Sequence, residues 1–438
     1  MEHADALEIS RSAAAGWSLP RRILFRFLCV YLVLYALPDR GRISIVNSIP
    51  YAGLLSAKYI ALWQAICPWV GSRFFHLSGR RITYAPTGSG DTTLDYIQVL
   101  VFVALALAGA LLWSVLDRKR GDYRKLESWL RLLVRYTLAF TLFGYGFVKV
   151  FPLQFRPPAL MSLVEPWGDF SPMGALWKFM GASIPYIMFA GAAEATSGFL
   201  LLFRRTTTLG SLAAFGVLLN VAALNYCYDV PVKLYSTNLL LMAVYLASPD
   251  FGRLFNVFVR NRTAAPVDLS APRFSSRWAR VAAGVFQILF VGFTLYGDVF
   301  GGWQGYRAAY VTPPRPPIYG LYEVESFTRN GQEAPPLVTD GRRWRRFIAE
   351  FPTFVSVQTM NDAITGYAAQ YDAARSTLVL NRGSMGSLTY ARPDPDHLTL
   401  DGVLAGERVS VRLRRIDASR FLLLSRGFHW INEVPFNR

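Results

Sequence analysis

Cysteine and histidine are scarce in this chain. Three cysteines (Cys29, Cys67, Cys227) and four histidines (His3, His76, His397, His429) are all that its 438 residues supply. No two cysteines form a CxxC pair, so there is no zinc or iron–sulfur signature and no metal site is expected. No histidine lies in an apolar run, which excludes bis-histidine haem ligation inside a helical bundle. Charge is sparse too, at 17% of residues against about 25% in a soluble globular chain. Only Lys58, Lys119, Lys125, Lys149, Lys178 and Lys233 among the 46 basic residues are lysine. That arginine bias reads as GC-rich bacterial coding. Hydrophobic residues make up 53% of the chain and aromatics 15%. The balance excludes disorder, a coiled coil and a disulfide scaffold, and points to a membrane bundle diluted by a water-soluble part. The net charge of +17 suits either nucleic acid or a membrane surface.

A bilayer core needs about 20 mostly apolar residues per helix. Such runs cover Leu19–Leu37, Leu94–Leu116, Trp129–Phe151, Pro185–Phe203, Leu209–Tyr226, the shorter Leu234–Ala247, and Val281–Val299. Leu55–Phe75, with Lys58, Pro68 and several aromatics, reads as an interfacial or re-entrant helix, with a true span as the alternative. With seven spans, 19 basic residues fall on the side of the N-terminus, including Arg11, Arg26, Arg118, Arg204 and Arg273, and 11 on the other side up to residue 312. The positive-inside rule then makes the N-terminus cytoplasmic and the tail exported. Glu2, Asp5 and Glu8 in the leader, and the lack of an A-x-A site, argue that the first run stays as an anchor.

From residue 313 the texture changes. Pro313, Pro314, Pro316 and Pro317 form a stiff linker. Period-two alternation follows in Tyr319–Phe327, Thr353–Thr359, Tyr367–Tyr371, Thr377–Leu380, Leu388–Tyr390, Leu398–Leu400, Val409–Leu413 and Phe421–Leu424, with one short helix expected near Arg342–Glu350. The expected fold is therefore a polytopic α-helical membrane bundle of about seven spans plus a C-terminal all-β small barrel or sandwich. This tail carries 16 basic and 13 acidic residues, so most of the excess charge belongs to the membrane part and nucleic acid is not an expected partner.

Ionisable residues at membrane depth are costly and mark function by default. Glu194 lies mid-run in Gly191-Ala-Ala-Glu194-Ala-Thr-Ser-Gly198, on a small-residue stripe that lets another helix approach. It reads either as a proton-accepting or ligand-binding carboxylate or as a structural helix–helix tie. Lys149 stands near the outer end of the third run, four residues after Tyr145. It either snorkels to the interface or pairs with Glu194. The Gly144-Tyr145-Gly146 segment permits close backbone contact and could host a flat ligand. The densest outer polar cluster is Asn220, Asn225, Tyr226, Cys227, Tyr228, Asp229, Pro231 and Lys233. Asp229 there either caps the next helix or takes a site role, with Asp229 and Lys233 facing Glu194 and Lys149. The loop 86–93 lacks the Walker Lys-Ser/Thr and reads as a turn with Asp91 or Thr92 as an N-cap. Cys67 and Cys227 fall on the oxidising side, where a disulfide is an open alternative. Arg342–Arg346 is expected to face lipid headgroups or the bundle, and the aromatic terminal stretch from Ser425 to pack on the membrane surface.

The stretch from about Arg131 to Asp250 resembles the DoxX-like membrane family. Four consecutive spans, the Gly191-x-x-Glu194-x-x-x-Gly198 pattern and the Phe203-Arg-Arg loop carry the resemblance. The segments YGFVKVFPLQF, FAGAAEATSGFLLLFRRTTTLG and LNYCYDVPVKLYS look like a bacterial subgroup with an added tail. Some DoxX-like proteins are subunits of quinone-linked sulfur or thiol oxidation systems, and the family is similar to the membrane part of vitamin K-dependent carboxylase-like proteins. The resemblance implies a quinone-interacting redox component of a bacterial inner membrane, with Glu194 and Lys149 handling protons; Tyr145 joins them from its place one helical turn before Lys149. The residues themselves offer ligand contacts at Asn225, Asp229, Lys233, Gly144 and Gly146, and the exported tail could dock a periplasmic or membrane protein partner. The alternative is a non-catalytic scaffold or sensor that anchors the tail. The expected organisation is a cytoplasmic segment 1–18, two spans with an exported loop in 19–127, a DoxX-like four-span core in 128–250, a basic loop and last span in 251–312, and an exported lipocalin-like β domain in 313–438.

Overall fold

The computed structural model describes residues 16–39, 42, 43, 46, 49, 51–264, 266 and 276–437. Most of the expected cytoplasmic segment, with Arg11, and the loop carrying Arg273 lie outside the described residues. The chain forms two compact units, one of residues 1–150 and 188–302, the other of residues 151–187 and 303–438.

The first unit is helical. In chain order the helices are α1 (Leu19–Ala36), α2 (Gly53–Phe75), α3 (Thr93–Leu116), α4 (Arg124–Val150), α5 (Pro172–Gly181), α6 (Ile184–Leu202), α7 (Thr207–Cys227), α8 (Lys233–Ala247), α9 (Phe251–Phe258) and α10 (Arg277–Tyr306). Of these, α5 belongs to the second unit. Each expected apolar run lies on a helix. Among the described residues four helices, α3, α6, α7 and α10, are long and apolar enough to cross a membrane. The other runs miss on charge or length. α1 carries Arg21, Arg22 and Arg26, α4 carries five charged residues before Thr137 and Lys149 beyond, and α8 has 15 residues. The stretch read as interfacial is one continuous helix, α2, with Pro68 inside it.

Arg26, counted above as a topology charge, is 1% exposed. Its guanidinium donates to Tyr123 Oη at 2.7 Å, Ser114 Oγ at 2.7 Å and the Asp117 carbonyl at 3.0 Å. A buried charge needs such full satisfaction, and here it ties α1 to α3 and to the turn before α4.

The second unit holds an antiparallel barrel. Its strands are β1 (Gly320–Arg329), β2 (Gln332–Glu333), β3 (Trp344–Phe351), β4 (Phe354–Thr359), β5 (Ile364–Asp372), β6 (Thr377–Leu380), β7 (Gly386–Ala391), β8 (His397–Leu404) and β9 (Glu407–Ile416). They run in the order β2-β1-β3-β4-β5-β6-β7-β8-β9, and β1 also pairs with β9 from Leu321↔Ile416 to Arg329↔Val409. Closure of eight strands removes the exposed edges that an open sheet would carry. Inward side chains such as Tyr322, Phe327, Phe347, Leu378, Leu388, Leu398 and Val411 form one packed core.

Two expectations change here. Arg342–Glu350 is strand β3, not a helix, and Phe421–Leu424 is not a strand, because Leu422–Ser425 forms a single helical turn. Trp344, Phe347, Ile348 and Phe351 fall at helical spacing because the register of β3 against β4 shifts after Trp344 and again after Ile348. Ile348 faces out yet is buried, under Leu160 and Val164 of the segment 151–187. The same segment is held by Leu160 N donating to Glu350 Oε2 at 2.9 Å and by Gln358 Nε2 donating to the Val164 carbonyl at 3.1 Å. Burial pushes the Glu350 carboxyl above the usual glutamate range, although the backbone N–H groups of Leu160 and Met161 pull the other way. The barrel unit is thus larger than residues 313–438. Nor is Arg342–Arg346 a free basic patch. Arg343 is 4% exposed and donates to the Ala334 carbonyl, Arg345 pairs with Asp362, and Arg346 donates to Gln358 Oε1.

Candidate functional site

The helices α4 and α6 meet without side chains between them. A Cβ built on Gly191 would stand 2.5 Å from the Gly146 carbonyl oxygen and 2.7 Å from Val150 N; one on Gly146 would stand 2.9 Å from Ala195 N. One turn further along, a Cβ on Gly198 would meet the Phe143 ring at 2.9 Å and the Ala139 carbonyl oxygen at 3.0 Å. Glycine is required at this crossing because nothing larger allows backbone-to-backbone contact.

That crossing brings two charges together. Lys149 Nζ lies 2.7 Å from Glu194 Oε2 and 2.9 Å from Oε1. The residues are 7% and 4% exposed, so this is a buried bidentate ion pair. Of the two readings of Lys149, pairing is the one observed. Tyr145, one turn before, places its ring 5.5 Å from Nζ, and its carbonyl accepts from Nζ at 3.5 Å. The ring of Tyr145 also lies 6.1 Å from that of Tyr235 on α8, whose hydroxyl meets Thr141 Oγ1 at 3.4 Å and accepts from Ile43 N at 3.3 Å. Further along, Arg42 pairs with Asp39 and stacks over Tyr35 at 4.3 Å. Aromatic and hydroxyl side chains of α4 and α8 therefore stand beside the ion pair.

Gly144 and Gly146 face protein. A Cβ at Gly144 would meet Ile43 Cδ1 at 2.6 Å, and Gly146 faces the α6 backbone.

Asp229 and Lys233 form a second cluster with a member from elsewhere. Lys233 Nζ meets Asp229 Oδ1 at 2.7 Å. The N-terminus of α8, however, is capped by Asp91, whose carboxylate accepts from Lys233 N at 2.7 Å and Leu234 N at 2.9 Å. The expected cap at Asp229 is displaced because Asp229 sits in the left-handed region at φ 52 and points to the lysine. Thr92 caps α3, in a reciprocal capping box with Asp95. Gly90 N donates to the Pro231 carbonyl at 2.8 Å, so the loop before α3 is stapled to the turn before α8. Asp91→Ala is expected to cost about 1–2 kcal/mol, since an N-cap carboxylate also meets the helix dipole. A thermal melt in detergent checks it. Asn225 is 6% exposed, and its Nδ2 has no partner among the described residues. Asn220 is exposed, and Tyr226 Oη lies 3.1 Å from Thr237 Oγ1. Cys67 is buried and Cys227 exposed, and both are free, so they do not pair.

Asp91, Thr141 and Tyr235 were not singled out as site residues from the sequence. A buried hydroxyl in an apolar run is the one signal that Thr141 offers. Asp91 offers a Gly-, Ser- and Thr-rich loop before a helix, which names a cap but not the helix it serves.

Over 141 residues the chain is 32% identical to the uncharacterized protein YwoB of Bacillus subtilis (strain 168), a match covering 32% of this chain and 90% of that protein. The shared part is thus a third of this chain and nearly the whole of its relative. No family model and no solved structure matches.

Proposed function

The chain belongs to the same family as the Bacillus subtilis protein YwoB, and on that premise we propose a quinone-interacting redox component of a bacterial inner membrane. Its helical core, residues 128–250, is read as DoxX-like. The observation that carries the reading is the buried Lys149–Glu194 pair beside Tyr145. An ion pair sealed between apolar helices adds little stability over apolar side chains of the same volume, so its presence favours a role in chemistry. Glu194 is placed to take and return a proton, Lys149 to hold that carboxylate charged and to donate a hydrogen bond, and Tyr145 to carry a hydroxyl beside them. The orphaned Asn225 Nδ2 is a donor suited to a carbonyl oxygen, which a quinone would supply. Since Ile43 and α6 fill the space at Gly144 and Gly146, a flat ligand would approach from the Tyr145 side.

The topology that goes with this reading has seven spans, with α2 lying at the interface. The N-terminus is cytoplasmic, and the barrel is periplasmic and available to a protein partner. Nineteen basic residues on the inner side support it. A periplasmic reporter fused after Thr312 should be active, and cytoplasmic activity there overturns the span count. Solvent extraction of the purified protein should release bound quinone, and Glu194→Gln should lower both that yield and any quinone reduction. Quinone-free wild-type protein with unaltered reduction by Glu194→Gln refutes the redox reading. The second reading, a scaffold anchoring the barrel, is favoured by the glycine contacts that close around the pair.

A further inference from the structure

The last strand leaves the barrel where the chain enters it. Ile416 at the end of β9 pairs with Leu321 at the start of β1. The π-turn that continues α10 ends at Val311, so residues 312–319, four of them proline, join it to β1. Eight residues reach no more than about 28 Å. If α10 spans the bilayer, as proposed above, the barrel end that emits the C-terminal segment is tethered close to the membrane.

That segment is organised yet leaves its apolar side chains out. Arg426 holds it as a knot. Its guanidinium donates to Asn432 Oδ1 at 2.6 Å, lies 2.9 Å from His429 Nε2, and stacks on the Phe436 ring at 4.5 Å. Around this centre Phe428, Trp430, Ile431 and Val434 are 77%, 91%, 77% and 71% exposed, and Leu422, Leu423 and Leu424 are exposed as well. Phe428 and Trp430 pack edge to face at 5.0 Å, so they present one aromatic surface. Arg415 and Arg420 stand just before it. Exposed apolar surface of this extent needs a cover. Aromatic rings beside arginines match the interface, where rings sit among headgroups and guanidinium groups meet phosphates.

We propose that residues 421–437 dock onto the surface of the bilayer that the helices span, with Phe428, Trp430 and Ile431 in the headgroup region and Arg415 and Arg420 on lipid phosphates. The inference rests on the reading of α10 as a span. The docking fixes the barrel end-on to the membrane and leaves the hairpin Leu404–Glu407, about 35 Å away along β9, pointing outward.

The test uses the full chain in nanodiscs, with Cys227→Ser and the buried Cys29 and Cys67 left in place. A fluorophore is attached through Trp430→Cys, and separately through Ala405→Cys in the far hairpin. Nitroxide-labelled lipids, placed shallow or deep in the leaflet, should quench the 430 probe several-fold more than the 405 probe, and shallow labels more than deep ones. The contrast should be larger in phosphatidylcholine–phosphatidylglycerol discs than in phosphatidylcholine alone, and Arg415→Glu with Arg420→Glu should reduce it. Equal quenching at both positions in an embedded chain overturns this inference alone. So does an unquenched 430 probe together with a disulfide between two copies through Trp430→Cys, which would make a second copy the cover. A chain that stays soluble without detergent overturns the span reading and this inference together.

Discussion

Lys149→Met is expected to destabilise the helical unit by about 3–5 kcal/mol, the cost of leaving one partner of a buried ion pair uncompensated. Glu194 would keep its place, 4% exposed among Ala195, Ser197 and the glycines, with no cation within hydrogen-bond reach. Lys149→Met combined with Glu194→Leu should recover most of that loss, because replacing both charges by apolar groups of similar volume is neutral or stabilising by about 1–4 kcal/mol. A double-mutant cycle from thermal or denaturant melts in detergent measures the coupling. The cycle also separates the two readings of the pair. A redox role predicts a double variant that is stable and has lost quinone binding. A purely structural role predicts a double variant with unchanged ligand behaviour. A double-variant loss equal to the sum of the two single losses would show that the side chains pack without interacting.

Gly191→Ala is the second large effect. The new methyl would sit 2.5 Å from the Gly146 carbonyl oxygen, 2.7 Å from Lys149 Cβ and 2.7 Å from Val150 N. Two of these neighbours are backbone atoms, which cannot swing aside as a side-chain tip would, so α4 and α6 must separate. Overpacking of this kind costs about 1–3 kcal/mol. It also stretches the Lys149–Glu194 pair, which the close crossing positions. Gly216→Ala on α7 is the matched control. A Cβ there meets nothing within 4 Å, and removing a helix-interior glycine should stabilise by up to about 1 kcal/mol. Melting both variants beside the wild type checks the contrast. Similar shifts for the two would mean that the α4–α6 crossing is looser than the distances state.

The stripe Gly191-x-x-Glu194-x-x-x-Gly198 was legible as a helix-contact face, since positions i, i+3 and i+7 share one side and two of them are glycine. Which helix it meets was not, because Phe143, Gly146 and Lys149 lie some 45 residues upstream and no local rule spans that gap. Asp91 shows the same limit more sharply. Its loop reads as a capping turn, yet its carboxylate caps a helix that begins 142 residues later. In the barrel, regular alternation marks β4, β6 and β9. It misleads at β3, where two register shifts imitate helical spacing and a docked loop buries the outer face. Phe421–Leu424 failed for the opposite reason: an apolar run without alternation is ambiguous between strand and helix.

Sequence alone determined that the chain has two textures, where its apolar helices run, that its tail alternates, and which few ionisable residues stand within apolar segments. These are properties of neighbours along the chain, and hydrophobic period and turn chemistry act at that range. Tertiary structure alone decided the pairing of Lys149 with Glu194, the capping of α8 by Asp91, the closure of β1 on β9 and the docking of residues 151–187 on the barrel. Each joins residues far apart in sequence, where contact depends on how whole elements pack against one another.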